Sequence, residues 1–229
     1  LSHQNVVKIF DVDKYEERPY MIMEYVKSKS LRDILLSRGY FSVVEALDIM
    51  YQLCDALIHA HKQEVIHRDI KPQNIMVQYD GNIKLADFGI ALIKDAPQIT
   101  QKDFAIGSVH YMAPEIAKGQ KASFKSDIYS LGVSFFELLA GRPPFIDATA
   151  VNIAMKHVKE PFPSIRKLKR EVPKKVEKII NKACQKNPSS RYKNVKEFKS
   201  ALESCMRVEI EVKGFSFFKK IFDKGSKHE

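Results

Sequence analysis

The chain opens with two apolar runs that have the length and composition of β-strands. VVKIFDV (residues 6–12) and PYMIMEYV (residues 19–26) are rich in β-branched and aromatic residues, and the charged run KYEER separates them. The pattern predicts a pair of strands at the start of the chain.

The next pattern is that of a helix with one apolar face. Ser42 and Glu45 have the spacing of a capping box, and Phe41 precedes them in the position of a hydrophobic staple. Residues that suit a buried face then recur at helical spacing, namely Leu47, Met50, Cys54, Leu57 and His61. The sequence therefore predicts a helix that begins after Ser42 and buries one side.

A hairpin and a long loop follow. NIMVQYDGNIKLADFG (residues 74–89) reads as two short strands that turn at Asp80 and Gly81. From Ile90 to Tyr111 the chain has few apolar residues and no clear period. A loop of that length inside a compact domain is usually functional or mobile.

The rest of the chain has helical patterns. Residues 126–141 are apolar on nearly every side and end at Gly141, which predicts a helix at the centre of a domain. Further helices are predicted near residues 148–159, 174–185 and 195–205, with the turn NPSSR (residues 187–191) before the last. The predicted fold class is α+β, mainly α, with a few antiparallel strands at the start.

Composition narrows this picture by exclusion. The chain has 229 residues, of which 45% are hydrophobic, so it can build a core and is not broadly disordered. Its three cysteines form no CxxC pair, which indicates neither a disulfide framework nor a zinc site and favours a reducing compartment. Its apolar runs are shorter than a membrane span. The net charge of +10 suits an acidic surface, a nucleotide or an anionic lipid.

Part of that charge lies in one short region. Five basic residues fall within nine positions: Lys167, Lys169, Arg170, Lys174 and Lys175. Such a run usually forms a solvated face, and the alternative is a docking surface for acidic partners.

The run HRDIKPQN (residues 67–74) concentrates chemically active groups between two apolar segments. A carboxylate such as Asp69 can accept a hydroxyl proton or orient a nucleophile. Lys71 can neutralise charge on a transferring phosphoryl group. Asn74 carries an amide oxygen, a hard ligand that suits Mg²⁺.

The hairpin is expected to bring a second acid, Asp87 of the DFG run, beside this loop, with Gly89 allowing a sharp turn. Together these residues supply a base, a cation and two metal ligands. Those are the requirements for phosphoryl transfer to a hydroxyl group.

The motifs resemble those of the eukaryotic-like, or Hanks-type, protein kinases over about residues 1–205. HRDIKPQN resembles their catalytic loop, ADFG their metal-binding segment and MAPE (residues 112–115) the end of their activation segment. LSHQNVV (residues 1–7) resembles the link from the C helix to the fourth strand, although Gln4 replaces the usual proline. The implied architecture is the large lobe of a kinase with a remnant of the small-lobe sheet.

The resemblance also implies structural roles. Asp127 in SDIYSLG would hold the catalytic-loop backbone, and Arg191 of NPSSR would pair with Glu115. His67 would pack beneath Phe88 and would not act as a base.

For the cofactors, the resemblance implies ATP and Mg²⁺, with Mn²⁺ as an alternative metal. Met23 would stand behind the adenine as gatekeeper, and Glu24 and Val26 would offer backbone groups to its edge. Met76 would form the floor of the adenine site.

Substrate class follows from the same resemblance. Lys71 after HRD is the form seen in Ser/Thr kinases. The run GSVHYMAPE (residues 107–115) closely resembles the corresponding sequence of bacterial Ser/Thr kinases. Both features imply protein substrates. Arg68 implies activation by loop phosphorylation, with Thr100 as the candidate acceptor and self-association for transfer between copies. Ser108 would lie at the substrate-docking position and bond to Asp69 and Lys71.

Three parts of a complete kinase site are not found in this sequence: a Gly-rich loop, the third-strand lysine and its glutamate partner. One interpretation is that the sequence starts partway into an ordinary kinase; the other is a large lobe that binds or scaffolds without catalysis. The intact set of Asp69, Lys71, Asn74 and Asp87 favours the first.

The expected division is a small-lobe remnant with the hinge at residues 1–26, the large lobe at 27–205 and a basic aromatic tail at 206–229. The tail run FSFFKKIF (residues 215–222) either lies on an anionic membrane or packs back on the lobe. The expected location is the cytoplasm or the cytoplasmic face of a membrane.

Two other functions are alternatives to a protein kinase. A small-molecule phosphotransferase can share the catalytic loop, but Lys71 and residues 112–115 argue against it. A nucleic-acid binder rests on charge alone, and no nucleic-acid partner is expected.

Overall fold

The computed structural model describes residues 1–16, 18–88 and 107–210, with the backbone alone at residue 19 and residues 207–210. Two small antiparallel sheets accompany a larger group of helices. Strands β1 (Ile9–Tyr15) and β2 (Arg18–Met23) form the first sheet. Strands β3 (Ser28–Ser30), β4 (Ile75–Gln78) and β5 (Ile83–Leu85) form the second, in that order.

The predicted first strand was placed too early. It begins at Ile9, because Val6 and Val7 lie in the core against β5 and not in the hairpin. Leu85 donates its N–H to the carbonyl of Asn5 at 2.8 Å, and Val7 donates its N–H back to Leu85 at 2.9 Å. The second predicted strand ends at Met23, three residues earlier than expected. The hairpin that turns at residues 80–81 is confirmed, with β4 and β5 paired.

Helix α1 (Leu31–Arg38) was missed. It is short and carries polar residues, but its start follows the usual rule, since the side chain of Ser30 accepts the N–H of Asp33. Leu31, Ile34 and Leu35 form its buried face.

Helix α2 (Val43–Lys62) confirms the capping-box prediction. The N–H of Ser42 donates to the Glu45 carboxylate at 2.6 Å, and the N–H of Glu45 donates to the Ser42 hydroxyl at 3.4 Å. Four of the five positions predicted on the inner face are buried, whereas His61 is partly exposed.

Helix α4 (Phe124–Ala140) is the centre of the molecule. Every residue from Ser126 to Leu139 is buried, which confirms the prediction made from its apolar sides. The helix ends at Gly141, whose φ of 79° is left-handed.

The described ranges contain five more helices, namely α3 (Pro114–Ala117), α5 (Ala150–Lys159), α6 (Ile165–Leu168), α7 (Lys174–Ala183) and α8 (Val195–Ile210). Of these, α6 and α7 pack directly against α4, while α8 packs against α2 and α7. Single 3-10 turns lie at Pro72–Asn74, Ser108–Tyr111 and Pro188–Ser190. The predicted fold class is confirmed as mainly helical with small antiparallel sheets.

Within the described ranges, every helix is too short or too polar to span a bilayer.

Candidate active site

The loop of residues 67–74 connects α2 to β4, and the buried carboxylate of Asp127 holds its backbone. The N–H groups of His67 and Arg68 donate to the two Asp127 oxygens at 2.9 and 3.0 Å. The ring of His61 on α2 lies 2.7 Å from the same carboxylate. Because Asp127 is in the first turn of the central helix, the position of the loop is tied to the core.

The ring of His67 helps to orient the loop through contacts on both of its nitrogens. Its ring packs edge-on against Phe88, with centroids 4.5 Å apart, as predicted. Its Nε2 lies 2.8 Å from the Ala86 carbonyl, and its Nδ1 accepts the N–H of Asp69 at 3.2 Å. Burial lowers the pKa of His67, and one donating and one accepting nitrogen match a neutral ring.

Asp69, Lys71, Asn74 and Ser108 meet in one hydrogen-bond network. The Lys71 ammonium lies 2.5 Å from the Asp69 carboxylate and 2.7 Å from the Ser108 hydroxyl. The amide nitrogen of Asn74 donates to the same carboxylate at 3.1 Å. The Asp69 side chain is 30% exposed, so it is fixed in direction yet reachable from outside.

Ser108 contacts only one of its two predicted partners. Its hydroxyl bonds to Lys71, whereas no hydrogen bond joins it to Asp69 within the described structure. Lys71 extends between the two residues and takes the place of a direct contact.

The hairpin brings Asp87 next to Asn74. The Ala86 N–H donates to the Asn74 carbonyl at 2.8 Å, and the Asn74 side-chain nitrogen donates to the Asp69 carbonyl at 2.8 Å. This second bond leaves the Asn74 amide oxygen available. The Asp87 carboxylate is exposed and, within the described ranges, has no ion-pair partner.

These two oxygens fit Mg²⁺. Magnesium usually takes one or two protein ligands and completes its shell with water and substrate phosphates. A group of three or more His, Cys, Asp or Glu side chains suited to a metal does not occur in the described residues. A metal would therefore rest on Asn74, Asp87 and the nucleotide itself.

Two non-glycine residues of the site have left-handed backbone. The φ angle is 72° at Arg68 and 64° at Asp87. Non-glycine residues pay about 1–2 kcal/mol for that conformation, and they keep it where the surrounding structure requires it. At Arg68 the requirement is the paired bond to Asp127, which needs two successive N–H groups aimed at one carboxylate.

The residues predicted to contact adenine lie on strands β2 and β4 and in the connection from β2 to β3. Met23 ends β2, and Met76 is half-buried on β4, opposite Ser30 and Lys84. The N–H of Glu24 donates to the Lys8 carbonyl at 2.9 Å, so its own carbonyl is the backbone group it can offer. Val26 follows in the connection to β3.

Sequence reasoning missed a buried acid on α4. Glu137 is fully buried, 2.8 Å from the Arg32 guanidinium, and accepts the hydroxyl of Tyr111 at 2.5 Å. Burial raises the pKa of Glu137, although its contacts with Tyr111 and Arg32 act in the other direction. Glu137 is the one charged residue after Asp127 in this largely apolar helix, and that isolation was the signal that could have revealed it.

The predicted pair of Glu115 and Arg191 is confirmed. The two guanidinium nitrogens lie 2.7 and 2.6 Å from the two carboxylate oxygens. Burial acts to raise the pKa of Glu115, but the bonds and charge of Arg191 lower it overall. This pair joins α3 to the turn before α8. Thr100 and Gly89 lie outside the described residues.

A catalytic-type loop held by a central helix, with an acid-bearing hairpin beside it, defines the large lobe of a protein kinase. The chain belongs to that family, since the protein kinase domain matches residues 1–204. The predicted Hanks-type, bacterial family is confirmed.

Three relatives illustrate the match. The chain is 43% identical over 205 residues to the serine/threonine-protein kinase PrkC of Bacillus subtilis, covering 90% of this chain and 32% of that protein. It is 42% identical over 197 residues to the probable kinase PknB of Lactococcus lactis, covering 86% and 31%. It is 37% identical over 208 residues to PknB of Mycobacterium leprae, covering 88% and 33%. The chain thus spans about a third of these relatives' length.

Proposed function

We propose that the protein containing this chain transfers the γ-phosphate of ATP to serine and threonine hydroxyls of proteins. The network of Asp69, Lys71 and Ser108 is the observation that carries the proposal. It places a fixed, reachable carboxylate beside a cation at the loop that the kinase family uses.

Asp69 orients the acceptor hydroxyl and receives its proton. Its Oδ2 is engaged by Lys71 and Asn74, and no described contact occupies Oδ1. The Lys71 ammonium is placed to offset negative charge that builds up during transfer. Most of the rate enhancement in this chemistry comes from such positioning and charge stabilisation.

ATP and Mg²⁺ complete the proposed site. When bound, the metal supplies charge neutralisation between the nucleotide phosphates. Asn74 and Asp87 would hold it through their side-chain oxygens, with Mn²⁺ as a substitute. Met23, the carbonyl of Glu24, Val26 and Met76 would hold the adenine.

We extend the proposal to regulation and surroundings. Thr100 would accept phosphate from a second copy of the protein, and Arg68, which is exposed, would bind that phosphate through charge-assisted hydrogen bonds. The division into residues 1–26, 27–205 and 206–229, the cytoplasmic location and contact of the tail with an anionic membrane belong to the same proposal. So does the role of Ser108 in substrate docking.

The test compares Asp69→Asn and Asp87→Asn in the full-length protein. Loss of the Asp69 carboxylate should lower phosphate transfer by about 10³-fold, because general-base groups contribute on that scale. ATP affinity should stay within about threefold, since Asp69 is not placed to bind the metal. Asp87→Asn should instead weaken Mg²⁺-dependent nucleotide binding itself.

Radiolabelled transfer to a basic test protein and nucleotide titration provide the two measurements. Asp80→Asn is the matched control, because it neutralises an exposed acid in the turn of the same hairpin. Wild-type transfer by Asp69→Asn would refute the role of Asp69. Phosphate found only on tyrosine would refute the proposed substrate class. If the wild-type protein binds nucleotide without any transfer, the protein is a binding or scaffold module.

A further inference from the structure

A pocket of about 430 Å³ opens at the far end of α4 from the catalytic loop. Phe136 lies nine residues beyond Asp127, which is about 14 Å along the helix axis at 1.5 Å per residue. None of residues 67–74 lines the pocket. The apolar walls consist of two aromatic rings, four prolines and one leucine, namely Phe136, Phe162, Pro143, Pro144, Pro161, Pro163 and Leu168.

The walls are held in place before anything binds. The ring of Phe162 meets that of Phe136 edge-on, with centroids 5.5 Å apart. Further along the same segment, the Ser164 hydroxyl donates to Glu177 at 2.5 Å and the Arg166 side chain donates to the Val172 carbonyl at 3.0 Å. Prolines also lose little conformational freedom on binding, so a ligand would find a prepared apolar surface.

The rim of the pocket is positively charged. Arg142 and Lys167 line it, both are exposed, and neither has an ion-pair partner within the described ranges. Lys169 stands nearby, 3.4 Å from the ring centroid of Tyr40, and Arg170 is exposed beside it. Lys175 differs, because its ammonium donates to the Ser204 carbonyl at 2.7 Å. The five basic residues of the run therefore differ in their surroundings: Lys167 borders the apolar pocket, whereas Lys175 is bonded to the backbone of α8.

We propose that this pocket docks an acidic protein segment that carries a hydrophobic side chain. The hydrophobic side chain would enter between the phenylalanines and prolines. Glutamate or aspartate residues next to it would pair with Arg142 and Lys167. A solvated basic face requires no apolar pocket, and an apolar core contact requires no cationic rim, so the combination favours this ligand.

Charge also argues against other occupants. Residues 211–229 of this chain contain five lysines and three acids, so the rim would repel them. A second copy carries the same net charge of +10. Nucleic acid or anionic lipid would satisfy the cations, but neither fills a pocket walled by proline and phenylalanine as well as a peptide side chain does.

The test uses the full-length protein and fluorescein-labelled peptides in an anisotropy titration. The probe has a central Leu-Phe pair with four glutamates on each side. One comparison peptide replaces the glutamates by glutamine, and another replaces Leu-Phe by two serines. Both should bind about tenfold more weakly than the probe, because each loses one half of the recognition.

The protein variants address the same point. Arg142→Glu with Lys167→Glu should weaken the probe about tenfold or more. Lys62→Glu with Lys196→Glu is the matched control, because both lysines are exposed and the net charge changes equally. The control should stay within about twofold. If circular dichroism shows that the reversal variant is unfolded, the milder Arg142→Gln with Lys167→Gln replaces it.

Three results would overturn the proposal. The first is an equal loss of probe affinity in the matched control variant, which would mean that only the overall charge of the protein matters. The second is equal binding of the glutamine peptide. The third is failure of the probe to bind while a single-stranded oligonucleotide or phosphatidylserine vesicles bind through Arg142 and Lys167. Because binding is measured without ATP, the outcome is independent of whether the protein transfers phosphate.

Discussion

His157 on α5 is a buried histidine whose surroundings oppose its protonation. Its Nδ1 lies 2.8 Å from the Tyr129 hydroxyl, and its Nε2 is buried with no hydrogen-bond partner in the described structure. The ammonium of Lys186 donates to the His157 carbonyl at 2.6 Å, which places a positive charge nearby. Burial, followed by the charge of Lys186, lowers the pKa of His157 to about 3.

This histidine should make stability depend on pH. The unfolded chain binds the proton near pH 6.5, and the folded chain binds it near pH 3, so between these values the unfolded state holds more protons. The free energy of unfolding should therefore fall as the pH falls through this window, by about 1 kcal/mol from pH 7 to 5.5. His157→Asn, which keeps a polar atom near Tyr129, should flatten this change.

Urea unfolding at both pH values measures the effect, with His59→Asn, at a partly exposed histidine, or the wild type as a reference for other groups. If His157→Asn shows the same change in the free energy of unfolding between pH 7 and 5.5 as the wild type, His157 is not the source of the pH dependence.

At the same scale, the sequence reveals neighbours along the chain better than distant partners. Three of the site residues lie within six positions of the chain, namely Asp69, Lys71 and Asn74. A single hairpin brings Asp87 to them, so the sequence alone predicts that these four residues lie together. The contact between Arg32 and Glu137 spans 105 positions. Local patterns carry no information on such a pair, because it depends on how α1 docks on α4.

The end of helix α4 shows how an element depends on one close contact. Gly141 donates its N–H to the Glu137 carbonyl at 2.7 Å and has a left-handed φ of 79°. A Cβ at this position would lie 2.1 Å from the carbonyl oxygen of Gly39 at the end of α1. The two helix ends can approach this closely only because a glycine stands there.

Gly141→Ala should therefore lower the free energy of unfolding by more than the left-handed backbone at this position alone explains. Gly119→Ala is the control, because its φ is 77° but a Cβ there meets nothing within 4 Å. Both substitutions should lower the free energy of unfolding by about 1 kcal/mol, because alanine is strained in left-handed backbone. Gly141→Ala should lose about 1–3 kcal/mol more through overpacking, measured by urea unfolding. Equal losses would mean that α1 moves aside at no cost.

Elements differ in how well the sequence predicts them. Helix α4 has apolar residues on all sides and a terminal glycine, and α2 has a complete capping box, so both were predicted. Helix α1 has eight residues and β3 has three, which is too short for a period to stand out. The start of β1 was misplaced because Val6 and Val7 look like strand residues but pack against β5.

Across the whole molecule, burial is very uneven. Helix α4 is enclosed from Ser126 to Leu139, whereas the β1–β2 pair has large apolar side chains in solvent, with Phe10 at 58% and Val12 at 59% exposure. A segment with few buried contacts opens locally at low free-energy cost, while the core opens only with global unfolding.

Amide hydrogen exchange of this chain should follow that difference. The amides of α4 should exchange slowest, at rates set by global unfolding, and those of β1 and β2 should exchange by local opening, orders of magnitude faster. Mass spectrometry of peptides from both regions makes the comparison within one sample. Equal protection of β1–β2 and α4 would show that the hairpin is part of the core unit.

The left-handed backbone at Arg68 has a consequence for engineering heat resistance. Glycine adopts that conformation without strain, so Arg68→Gly would relieve a local cost where Asp69 is positioned. The same change would let the loop explore other shapes and would remove the guanidinium. Selection for a higher melting temperature and selection for turnover would therefore favour different residues at this one position.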